Sequence, residues 1–201
     1  MSALEVSKLK IAFNDTPVIS DFNATFYNGL YQIKGKNGSG KSSLLKTFCG
    51  IYPIQSGEIN LHNISLLKEP KKAKMLLYFV PDKPEVYTFI TGLQFLKMLA
   101  QIKKSSLNND LNKWLEMINL NSHLESTFSS MSLGTQRKFL ISGMFIASPK
   151  IILLDEPFNG LDIDTIEILK KKLLKLSKNR CIVYTNHLKV FDESDCSIIE
   201  I

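Results

Sequence analysis

The pattern of apolar and polar positions predicts extended chain at the start. "LEVSKLKIAF" (4–13) and "VISDFNATF" (18–26) alternate loosely and are rich in β-formers, and "NG" at 28–29 lies between extended segments. They read as antiparallel strands, and "LYQIK" (30–34) as a short buried strand ending at Gly35. "KSSLLKTFCG" (41–50) predicts a helix stopped by Gly50. "SGEINLHNISL" (56–66) returns to strands, and "MLLYFV" (75–80) is another, ended by Pro81.

From about 91 to 130 the texture changes. Leu93, Leu96 and Leu99/Ala100 recur at three- and four-residue steps, as do Leu107, Leu111, Trp114/Leu115 and Ile118. That is one face of a helix, with no strand signal between. "SLGTQRKFLISGMFIA" (132–147) predicts a long helix with Ser132 near its start. "IILLDEP" (151–157) is apolar without alternation, as a central parallel strand covered on both faces must be. Asp164 and Glu167 make a capping box for a helix whose apolar face is Ile166, Leu169, Leu173 and Leu176. "CIVYT" (181–185) and "CSIIEI" (196–201) are further strands. The expectation is one α/β domain: an antiparallel β-part and a parallel core from 1–87 and 131–201, with a helical lobe, 88–130, inserted between them.

Composition adds limits. A chain of 201 residues, 44% apolar and 22% charged, is an ordinary globular protein able to bury one good core. The net charge of +6 sits largely in local runs, "KEPKKAK" (68–74) and "LKKKLLKLSKNR" (169–180), which read as solvated faces. Aromatic and basic residues do not interleave, so no nucleic acid is expected as partner. Cys49, Cys181 and Cys196 lack Cys-x-x-Cys spacing, which argues against a zinc site or a disulfide framework and for a reducing compartment. "MSALEVSKLK" has no apolar signal core, and no run approaches the ~18 apolar residues of a bilayer span. The expected location is cytoplasmic, peripheral on the inner face of a membrane.

The chemistry begins at "GKNGSGKSS" (35–43), which fits G-x-x-x-x-G-K-[ST] through Gly35, Gly40, Lys41 and Ser42. A chance match is on the order of one per cent at average residue usage. A flexible Gly/Ser turn has the same composition, so the companions decide. The loop follows a strand and opens a helix, so its backbone N–H groups, from Gly35, Lys36, Asn37, Gly38, Ser39 and Gly40 onward, can converge on phosphate oxygens at a helix N-terminus. Lys41 then reaches the β- and γ-phosphates, Ser42 ligates Mg²⁺ and Ser43 donates a further hydrogen bond. "IILLDEP" supplies the companions: Asp155 to hold Mg²⁺ through water, and Glu156 as general base on the attacking water.

The glycine loop, the helical lobe, "MSLGTQR" (131–137), "LLDEP" and "TNH" (185–187) occur in the order of an ABC-transporter ATPase subunit, and the chain resembles that family over essentially its whole length. The resemblance implies a P-loop NTPase core of mixed sheet with an antiparallel β-subdomain and an inserted α-helical subdomain. It implies ATP and Mg²⁺ as cofactors, a second ATPase subunit, identical or not, and a separate integral membrane permease. "MSLGTQR" looks like the ABC signature, so Ser132 and Gly134 would present a hydroxyl and N–H groups to ATP held by the other subunit. Leu133 and Thr135 depart from the usual glycine and glutamine; Ser-Leu-Gly forms are familiar among exporter ATPases.

Asp162, in "LDID", falls at the family's D-loop, and His187 at the histidine that contacts the γ-phosphate and orients the water and Glu156. Phe13 is either the family's adenine-stacking aromatic or a core-facing strand residue. Asp82, in "PDKP", stands where the family has glutamine; as an acceptor it can approach Mg²⁺ through water. The implied function is ATP binding and hydrolysis that drives a membrane partner, an exporter. The alternative is a soluble ABC-type ATPase acting on ribosomes or DNA. A non-hydrolysing regulatory subunit is disfavoured by Glu156 and His187.

Overall fold

A computed structural model describes residues 1–14, 16–146, 148–187, 190–192 and 194–201. Strands β1 (Leu4–Phe13), β2 (Thr16–Phe26), β4 (Ser56–Leu61) and β5 (Ile64–Ser65) form an antiparallel sheet ordered β2-β1-β4-β5. The pairing Leu4↔Phe26 and Leu4↔Leu61 aligns buried residues across it, as the alternation requires. The second sheet is parallel throughout, ordered β6-β7-β8-β3-β9. Its strands are β3 (Gly29–Lys34), β6 (Leu77–Val80), β7 (Ile151–Asp155), β8 (Cys181–Thr185) and β9 (Ser197–Glu200).

Two apolar clusters explain why β7 does not alternate. Ile151 and Leu153 face a core shared with Leu4, Phe26, Phe48 and Leu61, while Ile152 and Leu154 face one shared with Tyr78, Trp114, Phe139 and Leu169. Helix α1 (Lys41–Phe48) gives Leu44, Leu45 and Phe48 to the first core; α6 (Ile163–Ser177) gives Leu169 and Leu173 to the second. The lobe carries α3 (Gly92–Ile102) and α4 (Asn109–Met117), and α5 (Leu133–Ser142) packs against both. Thr91 and Gln94 form the capping box of α3. Trp114 is buried with its Nε1 donating to Ser142 Oγ at 2.9 Å, which locks α4 onto α5.

Three expectations need correction. "NG" at 28–29 makes no hairpin into β3: Gly29 pairs with Cys181 in the parallel sheet. The charged residues of 68–74 are exposed, as a solvated face requires, and α2 (Pro70–Met75) forms there with Pro70 at its first turn and Ala73 buried. The helix from Ser132 ends at Ser142 and tightens to a 3-10 turn over Gly143–Phe145; Ala147 lies outside the described residues. The cap of α6 is Asp162, whose carboxylate accepts from the Thr165 N–H at 2.8 Å, and Asp164 sits in the first turn.

Candidate functional site

The site lies at the carboxyl ends of the parallel strands, where such sheets open their clefts. Gly40 has φ +98°, and a Cβ there would stand 2.7 Å from Val18 Cγ1, so only glycine turns the loop tightly into α1. No side chain caps that helix end, and its first amides face the loop. Lys41 is buried and its Nζ donates to the carbonyls of Gly35 (2.9 Å) and Lys36 (3.0 Å), so the ammonium lies across the loop. Among the described residues, the buried Ser39 Oγ has no hydrogen-bond partner. An open ring of amides with a cation above it suits a phosphate chain.

Ser42 Oγ donates to Asp155 Oδ1 at 3.0 Å, and Thr185 Oγ1 donates to the same oxygen at 2.7 Å. The register Asp155↔Thr185 makes that second bond a neighbour contact. A hydroxyl and a carboxylate are hard oxygen donors suited to Mg²⁺. Among the described residues no group of three His, Cys, Asp or Glu side chains is arranged to hold a metal ion, so an ion there needs further oxygens, as Mg²⁺ takes from substrate phosphates.

Glu156 follows in a left-handed backbone conformation, φ +49°. Its N–H donates to Thr185 Oγ1 at 3.0 Å. The residue is 6% exposed, with Oε1 3.2 Å from His187 Nε2 and Oε2 accepting the His187 N–H at 3.3 Å. Burial raises its pKa; His187 works in the opposite direction.

A cleft of about 450 Å³ gathers Phe13, Asn37, Gly38, Gly40, Lys41, Ser42 and Ser43 with Asp82, Glu156 and His187. Gly35, Lys36 and Ser39 do not line this cleft, and Asp155 reaches it through its hydrogen bond from Ser42. Phe13 is no core residue: it is 37% exposed at the cleft and meets Tyr52 edge-on, ring centres 5.0 Å apart. Asp82 turns its carboxylate to Arg137, 3.1 Å from its Nη2.

Ser132, Gly134 and Asp162 do not line this cleft. Ser132 caps α5, accepting from the Thr135 N–H at 3.1 Å. Gly134 packs on the next loop so closely that a Cβ would lie 2.4 Å from the Gly160 carbonyl oxygen. Leu133 is 72% exposed, which is why a side chain is tolerated there and not one residue on. Asp162 meets Lys138 Nζ at 2.7 Å; that contact and the Thr165 N–H hold its carboxyl far below the usual range.

Sequence reasoning missed Thr185 and Arg137 as parts of the site. The hydroxyl of Thr185 ties Asp155 to Glu156, and its place in "TNH" at a strand end was the available signal. For Arg137 the available signal was its place at the end of "MSLGTQR", but its partners Asp82 and Glu156 are remote in sequence.

A triphosphate laid along α1 meets, in one cleft, an ammonium, an oxygen pair for a cation and a buried carboxylate. The class that fold and cleft define is the P-loop ATP hydrolase with an inserted helical lobe. The chain belongs to the ABC transporter family, whose sequence model matches residues 19–159. It is similar to the uncharacterised ABC transporter ATP-binding protein YhcH of Bacillus subtilis, 26% identical over 100% of this chain and 67% of that one. The bacitracin transport ATP-binding protein BcrA of Enterococcus faecalis is 26% identical over 87% of this chain. The chain spans about two thirds of the first relative's length and 57% of the second's. A solved ATP-binding subunit of an ABC transporter superposes with TM-score 0.88 at 24% identity, over 100% of this chain and 86% of that one.

Proposed function

We propose that this chain binds ATP with Mg²⁺, closes on a second ATPase subunit and, through hydrolysis, drives a separate membrane permease in export. The observation that carries the reading is a division of labour: α1 opens on the protomer's own cleft, while the N-terminal end of α5, with Ser132 and Gly134, lies off it. Two anion-seeking helix ends in one chain, only one at the cleft, suit a nucleotide held between two subunits. Exposed Leu133 and Ile163, each opening a helix of that outer face, supply apolar surface for closure.

Within the cleft each group has a task. Lys41 and the amides of α1 neutralise the phosphates, and Ser42 with Asp155 would hold a Mg²⁺ ion, which would supply further positive charge against the phosphates. Glu156 takes the proton of the attacking water on its carboxylate, where burial makes it a stronger base. His187 Nε2 fixes the direction of that carboxylate. Phe13, at the cleft mouth, offers a face to the adenine.

Among the described residues no helix is long and apolar enough to cross a membrane, and the permease enters this reading as a separate partner. The lobe of 88–130 beside the Asp82 loop is its docking region, where Tyr87 and Phe89 stand exposed with ring centres 5.6 Å apart. The Ser-Leu-Gly signature supports export, and the likeness to a protein named for bacitracin transport supports a role in transport. Glu156→Gln is the test. It should abolish phosphate release and accumulate an ATP-bound dimer on gel filtration; wild-type turnover, or a monomer saturated with ATP, overturns the reading.

A further inference from the structure

Arg137 is 7% exposed, on the helix that begins at Ser132. Its Nη1 donates to the main-chain carbonyl of Glu156; its Nη2 donates to the main-chain carbonyl of Asp82 and, at 3.1 Å, to the Asp82 carboxylate. Asp82 also receives Asn159 Nδ2 at 3.5 Å. A buried guanidinium needs a charge partner, and Asp82 is the carboxylate that supplies it. The backbone of Glu156 is therefore held at both ends of its left-handed turn, by Thr185 at the N–H and by Arg137 at the carbonyl.

We infer that Arg137 is a positioning residue for hydrolysis: one planar fork fixes the main chain of Glu156 and the carboxylate of Asp82 as a unit, from the helix that carries Ser132. This rests on the reading that Glu156 activates water. The consequence is geometric. Glu156 can aim its carboxylate only while its backbone holds φ +49°, and Asp82 keeps its depth in the cleft only while the fork holds it. A lysine offers a point charge and cannot span both partners. The clamp also joins one protomer's hydrolytic acid to the helix end that would serve the opposite nucleotide.

The test compares Arg137→Lys, Arg137→Met, Asp82→Asn and the double variant Arg137→Met/Asp82→Asn, using the full chain. Arg137→Lys should keep its unfolding temperature within a few degrees and its ATP affinity within about threefold, yet lose roughly 100-fold in kcat, the scale of a small misplacement. The double variant should lose no more rate than the worse single one. Urea unfolding of nucleotide-free protein should show the same coupling, with the double variant destabilised by less than the sum of the singles.

Wild-type kcat in a folded Arg137→Lys, a parallel fall of kcat and affinity, or simply additive effects on unfolding would each overturn the inference. If the wild type binds ATP without hydrolysing it, the proposed function fails while the unfolding coupling still reports on the clamp.

Discussion

Nε2 of His187 lies 3.2 Å from Oε1 of Glu156, while the His187 main-chain N–H reaches Oε2 at 3.3 Å, so one residue grips both oxygens of a buried carboxylate. Burial pushes the Glu156 pKa up and His187 draws it partly back. The rate should therefore rise with pH through a midpoint above the ordinary glutamate value of about 4.3. His187→Ala removes the opposing influence, so the midpoint should move higher still and kcat fall about 100-fold. Measuring kcat against pH for both proteins decides it; a midpoint moving down in His187→Ala contradicts the assignment. On stability the sign is the reverse of activity. A raised folded pKa favours the native state below the unfolded value, and that contribution is lost as pH climbs through the folded value.

Asp162 carries two duties, capping α6 and meeting Lys138 at 2.7 Å. Asp162→Ala should cost about 1 kcal/mol through the lost cap. Asp162→Asn keeps an oxygen for the Thr165 N–H and loses a half-exposed ion pair and the second oxygen that accepts from the Thr165 hydroxyl, so its cost should be smaller and shrink further in 1 M salt. Because the folded pKa is depressed, the charged form's contribution is present above the unfolded value and lost as pH falls toward the folded one. Urea unfolding at pH 7 at low and high salt checks the first two statements, and the same measurement repeated down through the acid range checks the third; an Asn variant as damaged as the Ala variant would reject the cap.

Much of this arrangement is legible in the sequence because it rests on local chemistry. The strand, glycine loop and helix of 30–48 are contiguous, and Asp155 and Glu156 end a strand whose unbroken apolar run marks it as central. Other parts are set by tertiary contacts. The "NG" turn looks like a hairpin until Gly29 finds Cys181 across the parallel sheet. Asp162 and Asp164 both head a three-residue step, and the Thr165 hydroxyl, which also bonds Asp162 at 2.9 Å, decides between them. Short α2 buries only Ala73, too little for a periodic pattern. The Arg137 fork joins loops that begin far apart along the chain, and no spacing encodes that.

Gly134 and Leu133 are neighbours with opposite tolerance. Alanine is a better helix former than glycine by about 1 kcal/mol, so Gly134→Ala would stabilise an unobstructed helix. Here the added Cβ meets the Gly160 carbonyl at 2.4 Å, and α5 must shift from the loop that leads to Asp162. The expected result is a lower unfolding temperature. Leu133→Ala, at an exposed site, should change stability by no more than about 0.5 kcal/mol. Calorimetry on the two variants tests the contrast, and an unchanged Gly134→Ala would show that the loop yields freely.

Ser42 can be separated from its neighbours because Asp155 has a second donor. Losing the Ser42 hydroxyl leaves Thr185 bonded to Asp155 Oδ1 at 2.7 Å, so Ser42→Ala should remain folded, about 1 kcal/mol less stable. What it removes is one of the oxygens available to a divalent ion, while the amides of α1 and Lys41 keep their hold on phosphate. The Mg²⁺ concentration for half-maximal turnover should therefore rise about 10-fold or more, on the scale of losses around metal ligands. Nucleotide affinity measured in EDTA should stay at the wild-type value, and EDTA should stop wild-type turnover. Phosphate release titrated against Mg²⁺, beside nucleotide binding without it, separates the two contributions: a variant with unaltered Mg²⁺ dependence removes Ser42 from the metal, and one that loses affinity in EDTA assigns the hydroxyl to phosphate.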